Sequence, residues 1–175
     1  MHIFPACSIK ALSECEPNQL VRGIGHSGLA GFHGLAATVV DQPDSRALII
    51  LDDGLPAYHV VQQPDSFQVI AFDAKPTLEV DPFGPFEAQA QTMFSAIGVV
   101  SRSKEHWLMR VREHYSDFRP RQGCLNLRDG TLINPIDQLS SVAFFGKWRV
   151  TMPAANGFLP PIEVASFEWK ESAGR

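Results

Sequence analysis

The stretch Ala47-Leu-Ile-Ile-Leu-Asp-Asp-Gly-Leu-Pro-Ala-Tyr-His-Val-Val61 decides the fold class. Asp53-Gly54 suits a two-residue type I′ turn, because both central positions of that turn need φ > 0 and Asp and Gly tolerate it. Apolar, β-prone residues flank the pair on both sides, so the stretch is predicted to be a hairpin. Its first arm is apolar at each position from Ala47 to Leu51. That is the pattern of a strand buried on both faces. Cys124-Leu-Asn-Leu-Arg-Asp-Gly-Thr-Leu-Ile-Asn134 repeats the logic around Asp129-Gly130.

Outward from these turns, further strands are predicted at 19–22, 35–40, 67–72, 99–102, 141–145, 148–151 and 162–169. In 106–113, Trp107, Met109 and Val111 alternate as a half-buried strand does, although the same residues also fit a helix. Pairing with 99–102 across 103–105 favours the strand. Residues 1–18 read as a lead-in of loop and turn, 41–45 as a polar turn, and 73–85 as a linker or irregular excursion rich in Pro and Gly. After Pro85 the period changes: Phe86, Ala90, Met93, Phe94 and Ile97 fall on one helical face, with Gly98 as the stop. The expected class is therefore mainly β (α+β). It consists of antiparallel meanders or small barrel-like sheets built on two Asp-Gly hairpins, with one main helix near 86–97. The expected organisation is a β meander over 1–75, a connection plus helix over 76–98 and a second meander over 99–175, or all three as one domain. Val69-Ile-Ala-Phe72 follows the first Asp-Gly and Val142-Ala-Phe-Phe145 follows the second, a spacing open to an internal duplication.

Composition sets the outer bounds. The 175 residues are 45% hydrophobic and 19% charged, ordinary for a globular chain. The apolar runs are far shorter than the roughly 20 residues of a membrane helix. The N-terminus lacks a basic start followed by an apolar stretch, so no signal peptide and no membrane partner are expected. Three cysteines, Cys7, Cys15 and Cys124, fit reduced thiols in a cytoplasmic protein rather than a disulfide framework. Net charge is −4, unevenly divided: residues 1–100 carry 4 basic and 11 acidic side chains, residues 101–175 carry 11 and 8.

Three stretches are candidates for chemistry. Residues 23–34 contain Gly23-Ile-Gly25-His26-Ser-Gly28, a G-x-G-x-x-G after a short strand, with His33 farther on. Such glycines let a pyrophosphate approach a helix N-terminus, but Gly31 and Gly34 oppose the helix that must follow. Gly23, Gly25, His26, Gly28 and His33 are thus the candidate ligand-binding residues, against the simpler reading of a loop joining two strands. His26 and His33 match no standard zinc spacing, and no metal or cofactor is expected. Arg110, Arg112, Arg119 and Arg121, interleaved with Trp107, Tyr115 and Phe118, are candidates for single-stranded nucleic acid. The chain is acidic overall, with a pI near 5.8, and arginines alternating on a strand also describe a wet face. Cys124 and Ser27 are considered as nucleophiles and not adopted, since Cys124 has no local signature and Leu29 stands where a G-x-S-x-G elbow needs glycine. Catalytic residues remain unassigned. The expectation is a non-enzymatic interaction or regulatory module, partnered by another protein or by itself through a strand edge. The alternatives are a small-molecule or nucleotide-binding protein, or enzyme, using residues 23–34, and a nucleic-acid binder using 102–128.

Overall fold

The apolar run 47–51 lies at the seam of two cores, and every one of its side chains is at most 2% exposed. Ala47, Ile49 and Leu51 enter the larger cluster, with Leu35, Ala37, Met109, Val111, Leu125 and Leu132. Leu48 and Ile50 enter the smaller one, with Leu12, Val21, Ala36, Val69 and Ala71. Alternation along a strand sends successive side chains to opposite faces, so a run without polar residues needs cover on both.

The computed structural model describes residues 6–24, 31–52, 55–81, 96–102, 105–114, 121–133, 143–154 and 159–169. The strands are β1 (Cys7–Ala11), β2 (Leu20–Gly23), β3 (His33–Val39), β4 (Gln42–Ile50), β5 (Ala57–Val61), β6 (Gln68–Phe72) and β7 (Thr77–Val80). They continue as β8 (Val100–Arg102), β9 (Trp107–Glu113), β10 (Gln122–Asn126), β11 (Thr131–Ile133), β12 (Ala143–Phe145), β13 (Lys147–Met152) and β14 (Ile162–Glu168). Six of them close a barrel in the order β3-β11-β10-β9-β5-β4 and back to β3. β2, β6 and β1 extend from β3, while β8 and β12 extend from β9. A separate sheet, β14-β13-β7, sends Trp148, Val150, Met152, Ala165 and Phe167 into the larger core.

The pairing pattern occurs twice. β2, β3, β4 and β5 pair in succession as antiparallel neighbours, and so do β8, β9, β10 and β11. β6 returns to β2 as β12 returns to β8. The last strand of each set pairs in parallel with the second strand of the other, β5 with β9 and β11 with β3. Registers match residue by residue. Arg22 opposite His33 corresponds to Arg102 opposite Trp107, and Thr38 beside Thr131 corresponds to Arg112 beside Ala57. β7 and β13, which follow β6 and β12, pair with each other.

Several expectations need correction. The register sets Ile50 opposite Ala57, so six residues separate β4 from β5 instead of two, and Asp53-Gly54 themselves lie outside the described residues. The second hairpin closes Asn126 on Thr131 through four residues, of which only Gly130 takes positive φ, at 68°. The polar segment 41–45 is mostly strand. A two-residue turn, Val40-Asp41, joins β3 to β4, and a register shift follows between Thr38 and Val39. No α-helix occurs among the described residues. Of the helix expected near 86–97, 86–95 lie outside them, while Ala96 and Ile97 form a bend and a turn. The one helical element described is a 3-10 turn, Leu12–Glu14. β1 and β7 fall where loop and linker were expected, because each is held by a distant partner, β6 and β13. Trp107–Glu113 is a strand and pairs with β8, as the alternation favoured.

Candidate functional site

His33 opens β3, facing Arg22 across the pairing with β2. Its backbone N–H donates to Asp52 Oδ2, and its ring Nδ1 lies 3.3 Å from Asp52 Oδ1. Leu51 N–H donates to His33 O at 3.0 Å, which holds the carboxylate beside the ring. Both side chains are partly exposed, at 30% and 25%. An imidazole oriented by a carboxylate is a unit that can bind an anion or relay a proton.

Of the other glycine-loop candidates, Gly23 ends β2, pairs with Val69 and exchanges backbone bonds with Phe32 and Gly31. Gly25, His26 and Gly28 lie outside the described residues. From Gly31, at φ 89°, the chain makes a turn and then strand β3. A dinucleotide fingerprint requires a helix there to receive the pyrophosphate. The strand removes the context on which the nucleotide reading depends.

The sequence did not single out the aromatic and imidazole cluster next to His33. Phe32 meets His114 edge-on at 6.0 Å between centroids. His114 N–H donates to Tyr58 O at 2.8 Å, across the parallel junction of β5 and β9. Burial pushes the His59 pKa below its ordinary value, and the neighbouring His114 adds to this against an opposing pull from Glu113. Burial, followed by the charge of Glu113, raises Tyr58. These groups are spread over residues 32 to 114, so only the closed barrel brings them together. Among the described residues no group of three or more His, Cys, Asp or Glu side chains is placed to hold a metal ion.

Arg110 and Arg112 stand on the barrel's outer face. They alternate with Met109 and Val111, which face the core. Arg110 Nη1 donates to Gln122 Oε1 at 2.7 Å, a neighbour on β10. Arg121 is exposed just before β10, and its carbonyl accepts Glu113 N–H. Arg119 lies outside the described residues. Cys124, between these arginines, is buried. Its pKa is raised by burial against a smaller lowering from Arg110, the reverse of an activated thiol. Burial raises Cys15 likewise.

Among the clefts lined by described residues are three that His33 does not line. A cleft of about 420 Å³ runs along β7, β13 and β14. Two ion pairs lie along it, Arg149 with Glu79 at 2.6 Å and Lys147 with Glu168 at 3.7 Å. A polar cleft of about 470 Å³ includes Lys10, Glu14, Asn18, Asp73 and Arg128. The third, of about 330 Å³, is lined by Leu78, Val80, Trp107, Leu127 and Arg128. No helix among the described residues is long and apolar enough to cross a membrane. No protein-family profile matches the chain, and no curated protein or solved structure matches it at a significant level.

Proposed function

We propose that the chain is a protein-interaction module, without catalysis of its own, that takes an extended segment of a partner onto the open edge of β1. One observation carries this reading: β1 ends the strand order of the large sheet, with β6 as its one neighbour among the described residues. Leu12 N–H bonds Phe67 O and Asp73 N–H bonds Ala6 O, so even-numbered residues of β1 face β6. The peptide groups of Cys7 and Ile9 therefore point away from the sheet, as antiparallel alternation requires. Ile9 is 68% exposed, the most of any large apolar side chain described. Glu14 Oε2 accepts Ala11 N–H at 3.1 Å and closes the edge beyond Ile9. An unpaired edge with an exposed apolar side chain is the template used in strand addition.

The test is selection of peptide binders from a random displayed library, mapped by amide chemical shifts. Bound peptides should perturb Cys7–Ala11 and β6, and Ile9→Pro should abolish binding, since it removes an outward donor without touching the β6 ladder. Binders that map to another surface, or that ignore Ile9→Pro in a variant with unchanged unfolding midpoint, would overturn the reading.

A further inference from the structure

The repeated pairing pattern gives the 330 Å³ groove an internal reference. In the first half, Arg22 faces His33, Leu51 N–H donates to His33 O, and the next residue, Asp52, supplies a carboxylate to His33. In the second half, Arg102 faces Trp107, Leu127 N–H donates to Trp107 O at 2.8 Å, and the next residue is Arg128. The position that carries a carboxylate in one half thus carries an arginine in the other.

The Arg102 guanidinium lies 5.1 Å from the Trp107 ring centroid, and Phe145 stacks on the same indole at 5.3 Å. Half-buried Leu78, Val80 and Leu127 complete an apolar wall. Both arginines are exposed, and no described carboxylate forms an ion pair with either. Guanidinium groups bind carboxylates bidentately, and an indole face supports flat apolar groups. The volume falls at the small end of the range of ligand pockets, about 300–1,000 Å³.

We propose that this groove, independently of the β1 edge, binds a small ligand that joins a flat apolar body to a carboxylate. The apolar body rests on Trp107, Leu78 and Val80. The carboxylate takes the place that Asp52 fills in the first half, on Arg128, the one charged residue of the groove lining.

The probe is 3-phenylpropionate, with its uncharged amide as control, followed by calorimetry and by the Trp107 indole N–H signal. The carboxylate should bind at least tenfold tighter than the amide and shift the Trp107 signal. Arg128→Asp, which copies the first half, should weaken binding at least tenfold at an unchanged urea midpoint. If that variant does not fold, Arg128→Gln gives the same readout. Absence of binding, as would follow if residues 82–95 of the chain itself fill the groove, overturns the proposal. So does equal affinity for the amide, a shift confined to other residues, or an unaffected Arg128 variant. An oligothymidylate that displaces the probe and binds more tightly overturns the proposed occupant.

Discussion

Ala36, Leu48 and Ile50 stand on the outer face of β3 and β4; at the matching positions of β9 and β10 stand Arg110, Cys124 and Asn126. The first face is sealed by Val21, Val69, Ala71 and Leu12, which fold over it as a second core. Ser101 of β8 matches Val21 of β2, and Arg110 turns to Gln122 at the surface. The inner faces are alike: Leu35 and Ile49 in one half, Met109 and Leu125 in the other, all fill the same interior. The comparison teaches that the repeated pairing is specified by inward-facing residues and backbone bonds, which leaves the outer faces free to diverge. One half carries a second apolar core on its outer face; the other carries half-buried Arg110 and Arg112 beside buried Cys124 and Asn126.

The comparison breaks most sharply at Gly34, whose counterpart in β9 is Leu108. A Cβ on Gly34 would lie 2.5 Å from Ile49 O and 2.8 Å from Leu48 Cδ1, because β2 and β4 both close on it. Gly34→Ala should cost about 3 kcal/mol or more in urea unfolding, at the upper end of overpacking penalties. A variant of unchanged stability would show that the tight approach of β3 and β4 is not required.

A smaller effect separates Leu48 from Cys124. Leu48 is fully buried, with its side chain in the second core, so Leu48→Ala should cost about 3 kcal/mol. Cys124→Ala removes one sulfur from a buried site that belongs to neither described core cluster and should cost about 1 kcal/mol. Equal losses by thermal or urea unfolding would mean that the outer faces are equally important to stability.

The smallest expected effect lies where the halves meet, at the β5–β9 junction. His59 has a folded pKa below its ordinary 6.5, through burial and then His114. The unfolded chain therefore binds the proton first, and stability present above pH 6.5 is lost as pH falls from there through the folded value. The unfolding midpoint should decline over that range, and His59→Gln should flatten the decline. An identical pH profile in the variant would remove His59 as a contributor.

Much of the β content was legible in the sequence because local pattern reports it directly. The run 47–51 announced a strand with cover on both faces, and alternation at Trp107, Met109 and Val111 announced β9. β1 and β7 were missed because segments such as Thr77–Val80 are too short for their alternation to stand out; pairing with β6 and β13 decides them. Turn lengths were also beyond reach. An Asp-Gly pair states what backbone it tolerates, not where the flanking strands stop pairing, as the four-residue loop before Thr131 shows. For the site, the sequence offered His33 but not Asp52 as its partner. It offered a stretch of arginines without separating Arg110, bonded to Gln122, from Arg102, which lies over Trp107.

By itself, then, the sequence determined a chain of short strands, because hydrophobic alternation and turn residues act over a few positions. The tertiary structure alone decided that the halves interlock. The parallel junctions of β5 with β9 and β3 with β11 join residues more than fifty positions apart. Such contacts form only when the whole barrel closes, and no local preference encodes them. The same closure set Phe32 of one half beside His114 of the other.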